Sequence, residues 1–258
     1  MLIITPLTGI PLIQPGDNLA EIIFAALARN NINLQDGDIL VITSKIVSKA
    51  EGRLVNLASV QPSEQALHLA IEVDKDPRLV ELNLRESRQV LRYRPGTLIV
   101  EHRLGFVCAN AGIDHSNVAS SDLPGEDQPD VWVLLLPEDP DASAEQLRNC
   151  LEQRSARHIG VLIIDSHGRA WRMGTVGMAI GLSGMPGLVD LRGEPDLFGY
   201  RLRITQVGVA DELASAASLM LGQAAEGTPV AHVRGFPYPL REETLGELLR
   251  PQAEDLFR

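Results

Sequence analysis

Arg103-Leu-Gly-Phe-Val-Cys-Ala-Asn-Ala-Gly-Ile-Asp-His-Ser-Asn-Val118 reads as a short apolar strand emptying into a polar turn. The turn offers Asn110, Asp114 and Asn117 around the small residues Ala111 and Gly112, so oxygen ligands and amide donors converge where backbone can approach a ligand closely. A second stretch matches it. Val161-Leu-Ile-Ile-Asp165-Ser166-His167-Gly168-Arg169 is again an apolar run, ending in a carboxylate, a hydroxyl, an imidazole and a glycine. Carboxylates at the ends of buried strands hold hard cations well, because a rigid sheet fixes their separation while the loop stays reachable. Asp114 and Asp165 are therefore expected to form a two-carboxylate divalent-metal site. Either aspartate could equally close an Asx-turn or cap a helix.

Outward from these turns, composition bounds the function. The 258 residues are 45% hydrophobic and 22% charged, with a net charge of −11, and mean hydropathy is +0.02. This is the profile of a globular chain with a substantial core, of one large or two smaller domains. No apolar run approaches the roughly 20 residues of a membrane span, and Met1-Leu-Ile-Ile-Thr-Pro6 lacks a basic leader, so the expectation is a cytoplasmic protein without a membrane partner. The negative charge argues against a nucleic-acid partner. Cys108 and Cys150 form no CxxC pair and are expected to be core thiols.

Among 23 basic residues only Lys45, Lys49 and Lys75 are lysines, and two of them sit in Thr43-Ser44-Lys45-Ile-Val-Ser48-Lys49-Ala50-Glu51-Gly52-Arg53. Compact point charges four residues apart suit phosphates; the alternative is a solvated helix face. Residues 38–43 read as the strand before them, which places both lysines at a strand-to-helix junction, where free N–H groups also favour anions.

The remaining pattern alternates strands and helices. Asp17 is expected to cap a helix over residues 18–29, with Leu19, Ile22, Ile23, Ala26 and Leu27 as its apolar stripe. Further helices are expected over 62–72 and from Asp76-Pro77 to about Arg88. Residues 97–101 and 104–109 suggest a hairpin whose Glu101, His102 and Arg103 are exposed. A polar loop at 119–130 is long enough to fold over a ligand. Then come a buried strand at 131–136, a helix with a Ser143–Gln146 capping box, and a strand at 159–165. Five glycines from Gly168 to Gly184 fit neither GxxxxGK[ST] nor GxGxxG and read first as close backbone packing. A strand over 202–209, a helix over 210–221 with Leu213, Ala217 and Met220 inward and Gly222 as its cap, and a strand over 230–234 complete a mixed α/β (α+β) chain. Residues 236–258 read as a tail outside the main core of residues 1–235.

These stretches resemble the coenzyme F420-0:L-glutamate ligase family, the F420 gamma-glutamyl ligases, over about residues 5–235. The likeness rests on Gly9-Ile-Pro-Leu12, Ser44-Lys-Ile-Val-Ser-Lys-Ala-Glu-Gly-Arg53, Val107-Cys-Ala-Asn-Ala-Gly-Ile-Asp-His-Ser-Asn-Val118, Leu135-Leu-Pro-Glu-Asp-Pro-Asp141, Ile164-Asp-Ser-His-Gly-Arg169, Asp196-Leu-Phe-Gly199 and Val209-Ala-Asp-Glu-Leu-Ala214. The resemblance implies an unusual mixed fold of two intimately associated subdomains, an intertwined homodimer, and a ligase that joins L-glutamate to the coenzyme F420 precursor through gamma linkages. It implies GTP as cosubstrate, with two Mg²⁺ or Mn²⁺ ions and a monovalent cation besides. Asp114 and Asp165 would bind one divalent ion, with Ser166 and Gln223 serving a second; Asp114, Asp165 and Lys49 would be the catalytic set. The nucleotide would contact Gly9, Ile10, Pro11, Leu12, Ser44, Lys45, Lys49, Asn117, Leu221, Gly222, Gln223, Ala224, Ala225, Glu226, Gly227 and Thr228. Ser166 stands where the family pattern has Thr, and His167 where it often has Asn or Phe. GTP over ATP rests on the resemblance alone. His115 and His167, as turn histidines, are expected to be exposed rather than basic catalysts. Rival readings are a metal- and nucleotide-dependent ligase for another acceptor acid, and a non-catalytic nucleotide-binding protein.

Overall fold

The computed structural model describes residues 1–118 and 132–256. Its centre is a five-stranded sheet in the order β1 (Ile3–Pro6), β12 (Val230–Arg234), β2 (Ile39–Thr43), β8 (Gly160–Arg169) and β9 (Arg172–Ser183). Only β2 and β8 run parallel; the other pairs are antiparallel. The central strands read as continuous apolar runs because both of their faces are covered. Leu40, Ile42, Val161 and Ile163 pack under helices α1 (Leu19–Arg29), α2 (Ser44–Ala50) and α5 (Pro140–Ser155). Their neighbours Ile39, Val41, Leu162 and Ile164 face α6 (Val209–Leu221). Single-residue alternation thus sorts one strand's side chains between two helical layers.

A second layer carries its own apolar cluster. Helices α3 (Glu64–Val73) and α4 (Pro77–Arg85) pack on the three-stranded sheet β4 (Ser87–Arg94), β5 (Thr97–His102) and β6 (Val107–Ala109). Strands β3 (Leu54–Asn56) and β7 (Trp132–Leu134) pair antiparallel as a separate ribbon, and their Val55 and Val133 pack against Leu79 and Leu82 of α4. The small hairpin β10 (Val189–Asp190) with β11 (Gln206–Val207) lies between β9 and α6 in sequence. The architecture is mixed α/β. Among the described residues no helix is long and apolar enough to cross a membrane.

Several sequence expectations change. Asn18, not Asp17, caps α1, accepting from Glu21 N–H, while the Asp17 carboxylate accepts from Gln14 N–H. Helix α5 begins at Pro140 with Asp139 as its cap, so there is no Ser143–Gln146 box; the Ser143 hydroxyl bonds the Asp139 carbonyl and the Glu51 carboxylate. Helix α4 ends at Arg85 and β4 follows at once. That strand covers Glu101 and His102, which are buried rather than exposed, and Gln89 Nε2 donates to Glu101 at 2.9 Å; Arg103 is half-buried. Cys108 is buried as expected, but Cys150 is exposed on α5. On α6 the buried face steps by four through Leu213, Ala217 and Leu221, which turns Met220 outward. The strand expected over 202–209 is reduced to Gln206–Val207. Residues 236–249 are not outside the core: Leu245 is buried, and Phe236, Leu240, Leu248 and Leu249 pack against the α6 side of the sheet. The 119–130 loop and Val131 lie outside the described residues.

Candidate active site

Strand β2 passes directly into α2 at Ser44, and its parallel partner β8 pairs Thr43 with Ile164. That register sets Ser44 beside Asp165, and the Ser44 hydroxyl donates to Asp165 Oδ1 at 2.8 Å. Asp165 is not at a strand end. β8 continues to Arg169, with Asp165 opposite Met178 and Ser166 opposite Gly177 on β9. The period-2 alternation then explains the side chains: Ser166 is exposed, and His167 is buried beneath the strand rather than displayed on a turn. His167 Nε2 lies 3.1 Å from Asp165 Oδ2, without the alignment of a hydrogen bond. Its ring tilts against Phe106.

The other carboxylate hangs from the second layer. After β6 the chain turns through left-handed backbone at Asn110 (φ 51°), Ala111 (φ 50°) and Gly112 (φ 65°). At Gly112 a Cβ would meet Leu136 Cδ1 at 2.6 Å, so both the backbone and the space require glycine. Asn110 is engaged in structure, its Oδ1 accepting from Leu98 N–H at 3.1 Å. Asp114 exchanges both backbone hydrogen bonds with Leu134, which fixes it to the end of β7. Its carboxylate lies 3.2 Å from Lys45 Nζ, and the same ammonium donates to the Ser116 carbonyl at 2.9 Å. His115 is exposed.

The two carboxylates differ in electrostatics. Burial raises the Asp114 pKa, Lys45 offsets part of that, and the charge of Asp165 raises it further. Asp165 is also pushed up by burial, but His167 and the Ser44 hydroxyl outweigh this and hold it below the usual carboxylate range. Lys49 is lowered by burial and by its neighbour Lys45. Burial, with Asp165 adding to it, pushes the Cys108 thiol up to about 12, so this cysteine stays protonated and inert.

A third segment closes the site. Gly222 (φ 76°) ends α6 and releases the loop 222–229. Ser166 Oγ donates to Gln223 Oε1 at 2.8 Å, and Asn117 Nδ2 donates to the Ala224 carbonyl at 2.9 Å. Glu226 folds back to accept from Ala224 N–H. Together the three segments enclose a cleft of about 600 Å³, within the size range of small-ligand sites. It gathers Asp114, Asp165, Ser166 and Gln223 with Ser44, Lys45, Lys49, Asn117, residues 10–12 and the whole stretch 221–228. Gly9 does not line it; its carbonyl accepts from the Arg29 guanidinium. Ser116, His167 and Ser218 line it as well, and sequence reasoning gave them no place there. Strand alternation through Asp165 was the available signal for His167; for Ser218 the sequence holds none. Among the described residues no group of three or more His, Cys, Asp or Glu is placed to hold a metal. From the described residues, a cation here would take the Asp114 and Asp165 carboxylates and otherwise neutral oxygens.

The F420-0:Gamma-glutamyl ligase family model matches residues 9–235. The chain is similar to the coenzyme F420:L-glutamate ligase of Methanothermobacter thermautotrophicus, 45% identical over 97% of this chain and 96% of that protein. It is 44% identical to the protein of that name from Methanopyrus kandleri, over 95% of this chain and 93% of the relative. The Archaeoglobus fulgidus protein of that name is 41% identical over 98% of this chain and 95% of its own. Identity at this level along nearly the whole of each chain leaves no room for a shared motif on an unrelated scaffold, and the chain is a ligase belonging to the F420-0:gamma-glutamyl ligase family.

Proposed function

We propose that this enzyme joins L-glutamate through gamma-glutamyl amide bonds to the coenzyme F420 precursor, with GTP as the activating cosubstrate and Mg²⁺ or Mn²⁺ in the cleft. The observation that supports it best is the convergence, in one cleft, of Asp114 and Asp165 with Lys45, Lys49 and the 221–228 loop. The relatives, named coenzyme F420:L-glutamate ligases, supply the acceptor and the amino acid.

A free carboxylate is a poor acylating agent. Transfer of the GTP γ-phosphoryl group to the acceptor carboxylate gives an acyl phosphate and GDP. The glutamate amine then attacks the acyl carbon, inorganic phosphate leaves, and the amine loses a proton. Such chemistry asks the protein chiefly for positioning and for positive potential around phosphate oxygens. Lys49, half-buried beside Lys45, supplies that potential where water screens it least. Lys45 also holds Asp114, and Ser44 holds Asp165, so one helix turn orients both carboxylates.

The donor set fits a hard divalent cation: Asp114, Asp165, Ser166 and Gln223 are all oxygen donors, and the two carboxylates are near enough for one to raise the pKa of the other. When bound, the cation neutralises charge on the transferring phosphoryl group. A homodimer belongs to the same proposal; Leu197, Phe198 and Ile204 expose apolar side chains that a second copy would cover. Sedimentation velocity tests that part.

The deciding experiment incubates the protein with the deazaflavin precursor, L-glutamate, GTP and Mn²⁺ and follows products by mass spectrometry. A ladder of glutamyl additions that requires GTP is expected. No addition, with metal-dependent nucleotide binding retained, would instead indicate a ligase for a different acceptor.

A further inference from the structure

Ser218 has no part in the mechanism above, yet it completes a ring of contacts around Gln223. Gln223 Oε1 accepts from Ser166 Oγ at 2.8 Å, and Gln223 Nε2 donates to Ser218 Oγ at 3.0 Å. Ser166 stands opposite Gly177 in the β8–β9 register. Over Gly177 lies the helix that carries Ser218: a Cβ at position 177 would come within 2.5 Å of the Ala214 carbonyl oxygen and 2.7 Å of Ser218 Cβ. Ser215 Oγ fastens the same helix to the Gly177 carbonyl at 2.8 Å. The missing side chain of one strand residue therefore lets α6 settle close enough for its hydroxyl to reach the Gln223 amide.

An amide has two unlike ends. Its oxygen can ligate a cation, whereas its NH₂ group presents positive hydrogens and repels one. We propose that Ser218 is a positioning residue: by accepting from Nε2 it anchors the Gln223 amide with its oxygen turned toward Ser166 in the cleft that both line. The inference rests on the proposed role of Gln223 as a divalent-cation ligand. Supports of this kind orient the ligands they touch, and their removal typically weakens metal binding by about 10- to 100-fold.

The test is direct Mn²⁺ titration calorimetry on the full chain, with no nucleotide or acceptor present. Ser218→Ala is expected to bind Mn²⁺ about tenfold more weakly, and Gln223→Ala at least as weakly. A carboxylate offers oxygen at both ends, so Gln223→Glu should bind Mn²⁺, and adding Ser218→Ala to it should change the affinity by no more than about twofold. That insensitivity is the readout a merely structural hydroxyl would not give. Wild-type affinity in Ser218→Ala, with Gln223→Ala weakened, overturns the positioning role and leaves the ligand role standing. An equal loss from Ser218→Ala in the wild-type and Gln223→Glu backgrounds also overturns it, since amide orientation would then be irrelevant. Wild-type affinity in Gln223→Ala removes the ligand role itself, and the positioning role falls with it.

Discussion

Acidification should destabilise this fold through His102, by an amount that can be worked out. The imidazole is completely buried, stacked at 5.2 Å on Phe106, and its Nδ1 accepts from Leu104 N–H at 3.1 Å. Burial, only partly opposed by Glu86 and reinforced by Arg103, His167 and Arg53, lowers its pKa from 6.5 to about 4. The folded value lies below the unfolded one, so on acidification the unfolded chain takes up the proton first. The neutral imidazole's contribution is fully present above about pH 6.5 and is lost as pH falls toward 4. At about 1.4 kcal/mol per unit the whole shift amounts to about 3 kcal/mol, of which about 2.5 kcal/mol is lost by about pH 4.5. His102→Phe keeps a ring for the stack but cannot titrate, and it leaves the Leu104 N–H without its acceptor. That omission costs about 1–3 kcal/mol at every pH. Urea unfolding from about pH 7.5 to about pH 4.5 should therefore show the variant less stable at neutrality, with the difference moving by about 2.5 kcal/mol in its favour at the acidic end. A difference that stays constant across the range refutes the reasoning.

Four other substitutions test three separate parts of the structure. Asp114→Asn and Asp165→Asn should each abolish glutamyl addition, read by mass spectrometry, while circular dichroism stays native; normal turnover with an unchanged metal requirement in either variant would remove that residue from the site. Lys49→Ala should weaken GTP binding by about tenfold or more in titration calorimetry, because a charge-assisted contact to phosphate in a half-buried position is worth about 1.5–3 kcal/mol. Gly181→Ala should lower stability by about 1–3 kcal/mol, seen as a reduced urea midpoint, because its Cβ would lie 2.5 Å from the Pro140 carbonyl carbon, and closer still to Pro140 Cβ, at the start of α5.

What the sequence disclosed was what local chemistry decides. Asp76-Pro77 opens α4 where a proline at the first helical position predicts it, and α3 starts at Glu64 behind its Ser63 cap, close to the expected start at residue 62. The same Asp-Pro signature marks Asp139-Pro140, and the capping-box pattern three residues later competed with it; a proline fixed at the first helical position wins because its φ is already helical. β4 stayed hidden because Ser-Arg-Gln-Val-Leu-Arg-Tyr-Arg puts most of its side chains in solvent, so no apolar alternation announces it. Without β4 nothing covers Glu101 and His102, and both were expected outside. Asp165 resembled the end of a strand because polarity begins there, yet β8 stays paired with β9 as far as Arg169, in unbroken register through Gly168. Polarity marks where burial changes, and a hydrogen-bonded ladder can run past that point. Of the site, the strand-to-helix junction and the two carboxylates were legible, while the contacts that join them span intervals such as Ser44 to Asp165 and Asn117 to Ala224, which no local pattern encodes.

The cleft is built across two layers, and this decides what must stay rigid for it to work. Asp165 belongs to the main sheet, whereas Asp114 is tied to β7 and follows β6, whose sheet packs under α3 and α4. Their separation therefore depends on how the layers sit, and one ionic cluster spans that junction. Arg53, at the end of the turn after α2, donates to the Leu136 carbonyl at 2.9 Å and to Glu86 at 2.9 Å; Arg103, beyond β5, donates to the same Glu86 at 3.0 Å and to the Glu138 carbonyl at 3.1 Å. A buried carboxylate held by two guanidinium groups adds little net stability, because desolvation consumes most of the attraction. Its forked geometry, however, tolerates small displacements poorly, so it acts on register more than on stability. Lys45 then bridges the gap at the cleft itself, reaching from α2 on the main-sheet side to Asp114 and Ser116 on the other. The residues that fix the spacing of the two carboxylates are thus mostly remote from them in sequence, and they resist the layers sliding against one another at two points, Lys45 in the cleft and the Arg53–Glu86–Arg103 cluster outside its lining.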